Sequence, residues 1–585
     1  MISFVELSHN FRTEDELTNQ SNSKEVYDLS SVKLPYLSGF ILHLFVKLLE
    51  SSFSGLLLPG LFKSAGIDYL RKLILQEPPT YLPLEFTGNL ARESSSVPEE
   101  EWLFSNRKLT IDDFRYSSVR DYINAYNQGS ISPQDVAQRI LDAIDVSNKM
   151  DPALNAIIAV NREEVLEQAS QSADRIKKGK PLSIFDGIPV AVKDEVEMRG
   201  YPTSVGTAFL GISPALEDST VVARLRAAGA LLIGKTNMHE IGIGVTGLNP
   251  NTGTTRNPYN TEHFTGGSSS GSGAAVAAGL CPIAVGADAG GSIRIPASLC
   301  GTFGLKPTFG RVSENGAYPV CWSVAHLGPL AESAEDTALA YAVMAGPDLF
   351  DPNSLHQPAP TLKGWSDMDL KKVKLGVFSP WFRHADQEVV TACEAMLENF
   401  EGLGAQIIEI AIPGLEAARV AHSITIITEM YKAMSATYKE HGSQHGLDVR
   451  TNLMLAKALT ANDYIQSQKV RTRFIADMRK ALSEVDMILT PSTATVAPQI
   501  PRDAIPDGNS DLTTVIQLMR FATPANFSGH PAISFPVGYD HQGLPIGMQA
   551  IGRYWEEAGL LGLALVSEQF VERQKPQVYY NILKG

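Results

Sequence analysis

Residues 263–307 read HFTGGSSSGSGAAVAAGLCPIAVGADAGGSIRIPASLCGTFGLKP: a Gly/Ser loop, an Ala-rich segment, a short apolar strand and a second glycine-serine turn in succession. Two serine-bearing bends held by one rigid piece of structure can aim two hydroxyls at one point. A serine hydrolase that works without a catalytic histidine needs that arrangement. In Gly290-Gly291-Ser292 the two glycines leave backbone N–H groups free of Cβ obstruction. Open N–H donors beside a serine are what an oxyanion hole requires.

Upstream, Gly187–Val192 alternates apolar residues as a strand does, and Lys193 closes the run IPVAVKD. A strand-end lysine is commonly a surface charge, and only its combination with the serines gives it weight. Burial would disfavour the ammonium form, and a neutral lysine can act as a base.

Three other readings of local motifs compete. Gly229–Thr236 matches the Walker A expression, but Ala230–Ile233 between its glycines reads as a strand and not as a phosphate loop. Gly267–Gly271 matches a nucleophile elbow centred on Ser269, yet Thr261–Thr265 before it reads as polar loop. The later histidines in apolar surroundings, His326 and His530, read as core or supporting residues. A plain Gly/Ser linker would not run directly into an Ala/Val segment that looks buried.

Helical and strand patterns alternate from about residue 105. Val119–Asn127, Ser132–Met150, Asp218–Ala228 and Gly273–Gly279 are expected as helices. Ala230–Ile233, Pro282–Gly286, Lys374–Phe378 and Asp486–Thr490 are expected as strands, and Ala532–Val537 with Ile546–Ile551 as a hairpin. The pattern predicts an α/β fold, a large mixed β-sheet flanked by helices on both faces. The domain reading is an N-terminal extension over 1–104 and a catalytic domain over 105–585.

In the extension, Leu37, Phe40, Ile41, Leu44, Phe45, Leu48 and Leu49 recur at helical spacing, and Pro59 is expected to break the pattern. This face reads equally as a helix packed on the body or a second subunit, or as an interfacial membrane helix. Residues 1–30 are polar, and 76–104 read as a Pro/Glu-rich strap.

Composition narrows the classes. The chain has 585 residues, a net charge of −15 and 44% hydrophobic content, which argues against a nucleic-acid partner. Four scattered cysteines show no metal spacing and suit a reducing, intracellular setting. Neither a secretory signal nor a run of some 20 apolar residues is visible, so the expected location is cytoplasmic or peripherally membrane-associated.

The stretch GGSSSGSGAAVAAGLCPIAVGADAGGSIRIPASLCGTFGLKPT closely resembles the amidase signature family, and the likeness extends over about 105–580. The resemblance implies the amidase-signature fold, Ser292 as nucleophile, Ser268 as a proton relay held by a cis peptide, and Lys193 as base. It implies an oxyanion hole from the backbone N–H groups of Ala289, Gly290, Gly291 and Ser292, with no metal or cofactor required.

DLSSVKLPYLSGFILHLFVKLLE and GKTNMHEIGIGVTGLNPNTGTTRNPYNTEHFTGGSSSGS are more narrowly similar to the plant-type fatty acid amide hydrolases. That likeness implies N-acylethanolamines or other N-acyl amides with an apolar acyl chain, a homodimer, and peripheral membrane contact through residues 37–62. It also implies an acyl pocket lined by residues 515–530. The alternatives are a general aliphatic, aryl- or indole-acetamide amidase, the amidase component of a tRNA-dependent amidotransferase, or a non-catalytic membrane scaffold.

Overall fold

The computed structural model describes residues 26–30, 36–86 and 114–584. The 104/105 boundary, the polar N-terminal 25 residues and much of the expected strap lie outside them.

Eleven strands form the central mixed sheet. In chain order they are β1 (Ile157–Ala159), β2 (Pro189–Lys193), β3 (Leu231–Thr236), β4 (Ile283–Ala287), β5 (Phe303–Lys306), β6 (Leu327–Ala331), β7 (Lys374–Val377), β8 (Gln406–Glu409), β9 (Met487–Pro491), β10 (Ala532–Tyr539) and β11 (Pro545–Gly552). Their spatial order is β8-β7-β9-β11-β10-β5-β6-β4-β2-β3-β1. β2 pairs in parallel with β3 and β4, and β7 in parallel with β8 and β9. The hairpin β10–β11 joins the two sets antiparallel, meeting β5 on one side and β9 on the other.

The inner strands are buried on both faces, which explains their continuous apolar sequences. The expected strands and helices are present with ends shifted by at most three residues. Leu231–Thr236 being a sheet strand removes the Walker reading. One expectation needs correcting: Asn260–Phe264 is a short strand paired with Arg256–Asn257, lying outside the main sheet.

The N-terminal segment forms α1 (Gly39–Glu50) and α2 (Ser54–Ala65), bent by 109° to one another. Among the described residues no single helix is long and apolar enough to cross a membrane. The phase of α1 differs from expectation. Leu42, Val46 and Leu49 are buried, whereas Phe40, Ile41, Leu44 and Leu48 face outward. Eight of the residues from Phe40 to Leu49 are apolar, so periodicity could not choose the inner face. Pro59 does not break the helix; it lies inside α2, and the break falls at Ser51–Phe53.

Leu49 and Phe45 of α1 and Leu57 and Leu61 of α2 join a cluster with Val205, Ile241, Val320 and Met430, while Leu42 and Val46 pack on Leu447. The Glu50 carboxylate accepts from Arg450 Nε at 2.8 Å and from the Tyr438 hydroxyl at 2.8 Å. These partners sit on α3 (Leu415–His441) and α4 (Leu447–Lys457).

Candidate active site

The end of β2, the turn after β4 and the Gly/Ser loop converge on one cavity of about 210 Å³. Lys193, Ser268 and Ser292 all line it, so the three predicted side chains are brought together. β2 and β4 are adjacent parallel strands, so both of their C-terminal ends face the same rim of the sheet, where α/β proteins place their ligands.

Lys193 is fully buried. Its Nζ donates to Ser268 Oγ at 2.8 Å and to the Ala287 carbonyl at 3.3 Å, and lies 3.4 Å from Glu195 Oε2. Burial pulls the Lys193 pKa below the ordinary lysine value, while the Glu195 carboxylate opposes that shift. The Lys193–Ser268 pair can therefore exchange a proton.

The peptide between Gly267 and Ser268 is cis. The Ser269 N–H donates to the Ser292 carbonyl at 3.2 Å, tying the loop directly to the turn. Ser269 is committed elsewhere: its Oγ donates to the Ala287 carbonyl and accepts from the Ala287 N–H. His530 and His326 are buried core groups, with His530 pulled down to about 3 by burial and stacked on Tyr554. Neither of these histidines bonds to Ser269, so neither serves the elbow reading as a base.

Asp288 organises the nucleophile turn. Its carboxylate accepts from the N–H groups of Gly291 at 2.7 Å and Ile293 at 3.1 Å, from Asn526 Nδ2 at 2.9 Å, and from Arg294 Nε at 3.0 Å. Burial alone would raise its pKa, but the Arg294 charge outweighs that and holds the acid ionised. Of the four expected oxyanion donors, the Gly291 N–H is thus engaged by Asp288. The N–H groups of Ala289, Gly290 and Ser292 have no acceptor among the described residues.

From the other side, a Cβ on Gly290 would meet Met519 Cε at 2.7 Å, and one on Gly291 would meet Ala522 Cβ at 2.7 Å. At Gly291, whose φ is 118°, close approach to a fixed Cβ requires glycine; at Gly290 the facing atom ends a flexible side chain. Met519 and Ala522 thus press on the turn, and the residues of 515–530 that border a cavity, Val515 to Pro524, border a separate small one, not the one holding Ser292. His422, a buried neutral imidazole, donates Nε2–H to the Ala289 carbonyl at 2.7 Å and fixes the turn's entry.

Sequence reasoning missed Asp288, Arg294, Glu195 and His422. The first two carried a signal, since a charged residue inside so apolar a run must find a partner. Ile241, on the cavity wall, has φ of 44°, and its N–H bonds to the carbonyl of Val205, whose φ is 54°. Two β-branched residues in the left-handed region are strained and persist only where packing fixes them.

The geometry sets two serines and a buried lysine on one cavity. The Amidase family model matches residues 138–561, and the chain belongs to the amidase signature family. It is an amide hydrolase.

Among its relatives, the fatty acid amide hydrolase of Oryza sativa subsp. indica is 38% identical, with 96% of this chain and 97% of that one aligned. The Arabidopsis thaliana fatty acid amide hydrolase is also 38% identical, over 95% and 96%. A glutamyl-tRNA(Gln) amidotransferase component from Thermosynechococcus vestitus is 34% identical but covers 76% of this chain and 97% of its own. Among solved structures, a bacterial aryl acylamidase of the amidase signature enzymes superposes with a TM-score of 0.70 at 27% identity, over 80% of this chain and 99% of its own.

Proposed function

We propose that the chain hydrolyses fatty acid amides, N-acylethanolamines foremost, through an acyl-enzyme on Ser292. The observation that carries the catalytic reading is the 2.8 Å bond from buried Lys193 to Ser268 in the cavity that also holds Ser292. Ser292 Oγ forms the bond to the amide carbonyl carbon. Its proton passes to Ser268 while the Ser268 proton passes to neutral Lys193. The N–H groups of Ala289, Gly290 and Ser292 face the oxygen that becomes negative. The proton then returns through Ser268 to the leaving nitrogen, the C–N bond breaks, and water releases the carboxylic acid.

Support for a long acyl chain comes from the N-terminal segment. The fatty acid amide hydrolases align with this chain through that segment, whereas the amidotransferase component leaves about a quarter of this chain unmatched. The inner faces of α1 and α2 share a cluster with Ile241, Val320 and Met430 of the cavity wall. Their outer faces expose Phe40 at 82% and Leu56 at 81%, with Ile41, Leu44 and Phe53. We infer that this face rests on lipid or on a second subunit, and that residues 1–104 form an extension serving substrate entry to a catalytic domain over 105–585.

The test is kcat/KM for a long-chain N-acylethanolamine against a short amide, with Ser292→Ala as blank. Strong preference for the long chain supports the reading. Preference for the short amide leaves a general amidase.

A further inference from the structure

The cavity is chemically two-sided. Ile241, Val320, Ala325 and Met430 give it apolar lining. Glu195, whose carboxylate lies 3.4 Å from Lys193 Nζ, and Glu314, near enough to feel the Glu195 charge, bring carboxyl groups to the same cavity. The reaction fixes which part of a substrate meets which side. The leaving nitrogen must take its proton from the Ser268–Lys193 pair, so the amine portion lies toward Lys193 and the acyl chain toward the apolar wall.

Most of the acidic groups around this end are committed. Glu195 faces Lys193 at 3.4 Å. Asp351 accepts from the Glu314 and Asn353 N–H groups. Glu429 accepts from the Trp322 and Ser323 N–H groups and from the Tyr464 hydroxyl. Glu314 differs: its carboxyl makes no hydrogen bond or ion pair among the described residues, yet it lines the cavity. Burial and the neighbouring charges of Asp351, Glu195 and Glu429 push its pKa well above the usual carboxylate value. An unpartnered carboxyl among like charges is an unfavourable arrangement that a cation would relieve. The mouth adds aromatic surface: Trp322 and Phe350 line it and are both exposed, at 41% and 81%. Aromatic faces beside carboxyls form a setting that attracts ammonium groups.

We propose that Glu314 selects the amine portion of the substrate, favouring N-acyl amides whose head group carries an ammonium and rejecting those whose head group is a carboxylate. This rests on the fatty-amide reading above and, within it, ranks an ammonium head group ahead of the hydroxyethyl group of an N-acylethanolamine. An ammonium on a short spacer would pair with Glu314 and hold it ionised. A carboxylate there would leave Glu314 protonated and without an ion pair, and would add its charge to those of Glu195 and Asp351.

The experiment compares three amides of one long saturated acid with the purified full chain: the 2-aminoethyl, 2-hydroxyethyl and carboxymethyl amides. The expected kcat/KM for the aminoethyl amide exceeds that of the carboxymethyl amide by about tenfold or more, the scale of one partly screened charge interaction. Glu314→Gln should lower aminoethyl turnover by about tenfold and leave the hydroxyethyl amide within about threefold. Glu314→Lys should reverse the order of the aminoethyl and carboxymethyl amides. A variant that still cleaves the hydroxyethyl amide is folded, so a preference order unchanged by both substitutions overturns the proposal. If no long-chain amide shows Ser292-dependent cleavage, the fatty-amide reading fails separately. The acetyl series of the same three amines then decides the head-group question.

Discussion

Glu195→Gln should move the acid limb of the pH–rate profile to lower pH. The base is neutral Lys193, so kcat/KM rises as that lysine loses its proton. Glu195 stabilises the ammonium from 3.4 Å and therefore holds the Lys193 pKa higher than burial alone would leave it. At an effective dielectric of about 20, two unit charges at that 3.4 Å separation interact by about 5 kcal/mol. At 1.36 kcal/mol per unit, that is a ceiling of roughly 3.6 pH units. Glutamine keeps a hydrogen-bond acceptor near Nζ, and Asp288 still favours the charged lysine, so the expected shift is about 1–3 units. The sign is fixed. Removing the carboxylate lowers the Lys193 pKa, the neutral base persists to lower pH, and the variant is relatively more active in the acid range. The assay is kcat/KM between pH 5 and 9.5 on a substrate for which solvent-isotope and viscosity effects show that chemistry limits the rate. A limb that stays in place, or moves upward, refutes Lys193 as the titrating base.

Lys193→Met should abolish turnover yet leave thermal unfolding at neutral pH unchanged or raised, since a buried amine is replaced by an apolar chain; a lower Tm would contradict the burial argument. Asp288→Asn strands the buried Arg294 guanidinium and should cost about 3–5 kcal/mol in denaturant unfolding, together with loss of activity. Changing Phe40, Ile41 and Leu44 to serine should each alter stability by less than about 0.5 kcal/mol while reducing vesicle co-sedimentation or the dimer fraction in ultracentrifugation. Leu42→Ala, on the opposite face of the same helix, should cost about 2–5 kcal/mol, detected as early protease cleavage near α1.

The sheet was largely legible because its inner strands carry apolar side chains on both faces, as Pro189–Lys193 and Ile283–Ala287 do. Lys193 was legible as a strand end, but only the resemblance linked it to Ser268 and Ser292. The phase of α1 was not legible, because a helix apolar around most of its circumference has no single stripe. Pro59 misled since a proline's missing N–H and ring do not always end a helix that packing holds. The bond from the Gly291 N–H to a side chain three positions earlier was not legible, being a local turn that a motif does not display. Glu314 offered no cue at all, because its neighbours Asp351 and Glu429 come from distant parts of the chain.

The hairpin of β10 and β11 sits at the middle of the sheet although it is nearly the last segment of the chain to be made. While the ribosome works toward it, β5 on one half and β9 on the other each present an unpaired edge where β10 and β11 will later insert. At about 5–20 residues per second, β5 waits roughly ten seconds or more for its partner. An open edge of that duration invites pairing with other nascent chains. The late hairpin thus makes assembly a closing step rather than a growing one. A chain stopped before residue 532 would leave two half-sheets with no strand to join them.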